Sequence, residues 1–171
     1  MARSNDIRVL FVKTAETEWE RSGRIAGSTD VPLTAQGWEA LIKAMEDVQG
    51  AKLSTVLCGP DEGSQGVARE LAKRVGCKVK VIEDLGEVHL GLWEGILGVE
   101  LQEKCPTTYR QWLDDPAAVS APEGEGLEDA QTRLLEALRR NTSRIRGESG
   151  AVGVVLRPMA LGLVSCALTG V

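Results

Sequence analysis

The residues that raise a chemical question are Lys13, Thr14 and Ala15, which follow the apolar run Val9–Val12 directly. Open α/β sheets hold ligands at the carboxyl ends of their strands, so an ammonium and a hydroxyl here stand at the mouth of a prospective site. A threonine hydroxyl is a poor nucleophile at pH 7 unless a base takes its proton. The chain has one histidine, His89, on another loop, and this removes most general-base and metal-ligand options. Cys58, Cys77, Cys105 and Cys166 lie far apart without a CxxC pair, and they read as reduced, packed thiols. Neither a metal nor a cofactor is expected.

The elements that must position this mouth alternate along the chain. Val9–Val12 reads as a strand, followed by a polar turn, a glycine-punctuated loop and a helix entered at Thr34. Ala35–Gln49 carries Leu41, Ile42, Met45 and Val48 at helical spacing. "STVLCG" is a second strand, and Val67, Leu71 and Val75 mark a helix that ends at Gly76. "KVKVI" is a third strand, and residues 98–114 form a helix pair broken at Pro106. "DDPAAVSAPEGEG" is a loop, Leu127–Arg146 a long amphipathic helix, "AVGVVL" a fourth strand and Met159–Leu168 the closing helix. Glu123, Glu125, Glu128 and Asp129 read as a solvated loop and helix start. This alternation predicts a mostly parallel sheet with helices on both faces, a three-layer α/β/α domain spanning residues 1–171.

With 43% hydrophobic and 26% charged residues in 171, the chain is long enough to bury one sizeable core and has no disorder signature. A net charge of −5 gives no reason to expect nucleic acid or an anionic membrane as partner. No run approaches the roughly 18 apolar residues of a membrane span, and the amino terminus has too short an apolar run for a signal peptide. A cytoplasmic location is expected.

"KTAETEWERSGRIAGSTDVPLTAQG" (13–37) resembles the signature "RHGET.WN..GR.QG..D.PLT..G" of the histidine phosphatase superfamily, the phosphoglycerate mutase-like proteins. Glu16, Thr17, Trp19, Gly23, Arg24, Gly27, Asp30, Pro32, Leu33, Thr34 and Gly37 match it. "LGEVHLGLWEG" (85–95) resembles "L.E...G.WEG", "APEGEGLEDAQTRL" resembles "PpGGEs..d...R", and "VVLRP" (154–158) stands in place of "vVsHG". These motifs fall in order and at family spacing over nearly the whole chain.

The resemblance implies a phosphomonoester site in which a histidine after the first strand becomes phosphorylated. Arginines and a second histidine would offset the phosphoryl charge, and a glutamate would serve as general acid. Carried over residue by residue, the nucleophile is Thr14, the arginine before it Lys13, and the glycine after it Ala15. Glu20 takes the place of an asparagine, Gly63 that of a phosphate-binding arginine, and Arg157 that of the second histidine. Gly66 and Val67 replace a polar residue and a threonine, while the acid position keeps its carboxylate as Glu87. The chain thus reads as a degenerate, catalytically inactive member whose remnant phosphate pocket comprises Lys13, Glu20, Arg24, Gly63 and Arg157.

Lys13 and Arg157 are expected to pair with Glu20 or Glu87, so that internal carboxylates replace the phosphate. The rival expectation leaves both cations free for an anionic small molecule, in a sensor or a weak phosphatase or mutase. Family members continue into a final hairpin beside the first strand, and the chain is expected to lack it. The first strand, Ile7 to Val12, would then be an open edge and predicts a homodimer through that edge.

Overall fold

The computed structural model describes residues 7–48, 50–143, 145 and 151–170. Four strands, β1 (Arg8–Lys13), β2 (Thr55–Cys58), β3 (Lys78–Val81) and β4 (Ala151–Leu156), form one sheet in the order β1-β4-β2-β3. All three pairings are parallel, and Lys13 lies opposite Leu156 where β1 meets β4. The expected mostly parallel sheet is therefore wholly parallel among the described residues. The loops that follow all four strands open at one end, and the candidate residues gather there.

Among the described residues seven α-helices accompany the sheet: α1 (Glu18–Arg21), α2 (Ala35–Ala44), α3 (Glu62–Val75), α4 (Gly98–Lys104), α5 (Pro106–Asp114), α6 (Leu127–Thr142) and α7 (Pro158–Thr169). Val155 faces a core with Val67 and Leu71 of α3, while Val152, Val154 and Leu156 face Leu134 of α6 and Val164 of α7. The two-residue period of β4 thus feeds both helical layers, which is why "AVGVVL" is apolar throughout. A third apolar cluster of Val88, Leu90, Trp93, Leu101 and Leu127 lies outside the two sheet cores. Trp93 and Trp112 stack edge to face within it, 5.3 Å apart.

Local chemistry sets the helix ends. Thr34 and Asp61 accept the Gly37 and Ser64 N–H groups as N-caps, and Gly76 closes α3 in the left-handed conformation at φ 74°. The helix expected over Ala35–Gln49 tightens into a 3₁₀ turn at Met45–Val48, and Gln49 lies outside the described residues. That expected over Leu127–Arg146 ends at Thr142, with Arg146 outside the described residues. None of the described helices is long and apolar enough to cross a membrane.

Candidate functional site

The chain leaves β1 through Lys13, which is exposed, and Thr14, which is 2% exposed. The Thr14 amide donates to the Leu156 carbonyl at 3.0 Å and so extends the β1–β4 ladder by one bond. Its hydroxyl is buried with no hydrogen-bond partner among the described residues. Such orphaned groups are rare in folded proteins and cost about 1–3 kcal/mol each.

At the end of β4, Arg157 is 3% exposed. Its Nη1 donates to the Thr29 carbonyl at 2.9 Å, and no other hydrogen bond to it is found among the described residues. Neither Arg157 nor Lys13 lies within 4.0 Å of a carboxylate oxygen among those residues. The expected pairing with Glu20 or Glu87 is therefore corrected: both carboxylates are engaged with backbone N–H groups instead.

Glu20 closes a capping box at the start of α1. Its Oε2 accepts from the Thr17 amide and hydroxyl, each at 2.7 Å, while the Thr17 hydroxyl accepts from the Glu20 amide. Glu87 reaches the first turn of α7, where Arg157 supplies no side-chain cap. Glu87 Oε2 accepts from the Met159 amide at 2.9 Å, and Oε1 from the Ala160 amide at 2.7 Å and the Val88 amide at 2.9 Å. Burial pushes its carboxyl pKa up, and these three donors and the Arg157 charge only partly offset that. Glu87 thereby satisfies helix donors that the sequence at Arg157-Pro158 leaves bare.

A cavity of about 190 Å³ brings Glu20, Glu87 and Arg157 together, with Ile25, Leu90, Trp93, Trp112 and Met159 as its apolar wall. Lys13, Arg24 and Gly63 do not line it. The exposed Arg24 donates to the Gly95 carbonyl at 2.6 Å. Gly63 opens onto a separate groove of about 380 Å³ beside Trp38, Asp30 and Glu62.

Glu94 is the best-connected side chain near this end and escapes a reading focused on phosphate ligands. It accepts from the amides of Ser28, Thr29 and Leu90 at 2.8–2.9 Å and from the Ser28 and Thr29 hydroxyls. Burial alone would raise its pKa, but these donors hold it down to about 2. Gly27 lets the loop approach: its φ is 55°, and a Cβ there would fall 2.3 Å from Glu94 Oε1. His89 Nδ1 lies 2.9 Å from the Ser28 hydroxyl and 3.2 Å from Glu94 Oε1. One ring nitrogen thus faces both groups, unlike a catalytic triad, which engages opposite nitrogens.

Glu125, expected in solvent, instead pairs with Arg133 at 2.6 Å. The same guanidinium donates to the Asp84 and Gly86 carbonyls, fixing the turn before Glu87.

A family model for the histidine phosphatase superfamily (branch 1) matches residues 9–171. The chain belongs to that superfamily. It is 27% identical over 168 residues to phosphoserine phosphatase 1 of Hydrogenobacter thermophilus, covering 96% of this chain and 77% of that protein. A probable phosphoglycerate mutase GpmB of Serratia proteamaculans is 30% identical over 132 residues, covering 77% of this chain and 61% of that protein. Among solved structures, Bacillus stearothermophilus YhfR superposes with a TM-score of 0.87 at 24% identity, covering 95% of this chain and 79% of that one. Across the first curated relatives, the chain spans between 42% and 77% of their length.

Proposed function

We propose that this superfamily member acts by binding or assembly and does not turn over phosphomonoesters. The observation that carries this reading is Thr14: the residue at the family's nucleophile position is buried, and its hydroxyl meets no base. Glu87 supports it too, because each of its oxygens accepts a backbone N–H and the group serves as a helix cap. A carboxylate so engaged is badly placed to deliver a proton to a leaving group.

The test is turnover of p-nitrophenyl phosphate and phosphoserine by the purified chain. Phosphate release at the rate of buffer alone is expected. Release that Thr14→Ala or Arg157→Ala abolishes would establish a phosphatase and end this reading.

A second reading keeps recognition of an anion, and Arg157 favours it, since among the described residues no carboxylate oxygen lies within 4.0 Å of this buried cation. Assembly is supported by β1, which pairs on one side only among the described residues. A second copy pairing there would extend the sheet into a homodimer.

A further inference from the structure

Arg157 presents an imbalance that the rest of the fold does not resolve. A guanidinium carries five N–H donors, yet only Nη1 has an identified partner among the described residues, the Thr29 carbonyl. The group is 3% exposed and lies on the wall of the 190 Å³ cavity. The Glu87 carboxylate feels this charge across the cavity, but no carboxylate oxygen among the described residues lies within 4.0 Å of it, so a ligand that hydrogen-bonds the guanidinium directly binds with advantage.

The cavity limits what that ligand can be. Its remaining surface is largely apolar, with Ile25, Leu90, Met159 and the Trp93–Trp112 pair. Glu20 and Glu87 also line it and repel a second negative charge. Among the described residues Arg157 is the only cation on that wall, with Lys13 and Arg24 outside it. Against one cation and two carboxylates, a monoanion meets less repulsion than a dianionic phosphomonoester, and an apolar body on it would cover the aromatic wall. For size, an apolar cavity of about 150 Å³ accepts benzene, so there is room here for a ring and a small head group.

We infer that the cavity receives a small aromatic monocarboxylate, its carboxylate on the free N–H groups of Arg157 and its ring against Trp93 and Trp112. This rests on the non-catalytic reading, because a site turning over phosphomonoesters would need the same guanidinium for phosphate. No bond is made or broken in the step.

Calorimetric titration of the full chain with benzoate and phenylacetate tests it, with benzyl alcohol and inorganic phosphate as controls. Saturable binding of either carboxylate is expected, with benzyl alcohol at least about tenfold weaker for want of the charged hydrogen bonds. Ala26→Leu, which fills part of the cavity and leaves the Arg157 guanidinium in place, should weaken it by a similar factor while the variant remains folded. Arg157→Gln should abolish the preference for benzoate over benzyl alcohol. Failure of both carboxylates to bind at about 10 mM, a concentration that would reveal even a millimolar Kd, overturns the inference. So does equal binding of benzyl alcohol, tighter binding of inorganic phosphate, or unchanged affinity in Ala26→Leu. Turnover in the phosphatase assay would instead remove the underlying reading, so the two failures are distinct.

Discussion

At the scale of single residues, Thr14 gives the sharpest contrast between packing and chemistry. Its orphaned hydroxyl has no structural use among the described residues. Thr14→Val is therefore expected to raise stability by about 1 kcal/mol, read as a higher urea midpoint with an unchanged slope. An unaltered or lower midpoint would mean that the hydroxyl has a partner. The identities at these positions were legible in the sequence; the partners were not. Glu20 reads as a charge opposed to phosphate, but "TEWE" is also a capping box, and the geometry follows that local signal. The Arg157 expectation failed differently. Opposite charges near one pocket need not touch once each carboxylate has closer backbone donors, and nothing in residue spacing reports those donors.

Among elements, the loop 27–30 depends on Glu94 from one side and on Arg157 from the other. Glu94→Gln, which loses the charge behind several hydrogen bonds, is expected to destabilise the fold by about 2–4 kcal/mol in urea unfolding at pH 7. The pH dependence carries the sign. With its folded pKa near 2 against 4.5, Glu94 contributes stability above pH 4.5 that is lost as pH falls towards 2. The midpoints of wild type and Glu94→Gln should converge over that interval. Glu87 acts oppositely: its folded pKa is raised above 4.5, so its contribution is present below that pH and lost as pH rises through the folded value. Each strand and the longer helices were readable from apolar periodicity, because β4 feeds both sheet cores and α6 feeds one of them together with the outer cluster. The Glu94 hub was hidden within "WEG", since its five donors come from residues about 65 positions earlier and from the adjacent turn.

For the molecule as a whole, β1 offers an unpaired edge among the described residues, and Val9 on it is 37% exposed. The proposed homodimer should appear as twice the 18.4 kDa chain mass in sedimentation velocity at micromolar concentration. Val9→Lys should shift it towards monomer, because a lysine on an edge discourages strand addition. A monomeric wild type across that range would remove assembly through this edge. The parallel order could be anticipated from strand–helix alternation, but the neighbours of each strand could not, because period and length say nothing about which strand lies beside which.

That order has a consequence for how the chain comes off the ribosome. β4 fills the slot between β1 and β2, so of the four described strands the latest made holds together two made earlier. Until Leu156 emerges from the exit tunnel, β1 has no partner in this sheet and β2 has only β3. The nascent chain must carry two unfinished strand edges while the segment between Cys58 and Ala151 is made, the state in which chaperones and misassembly compete.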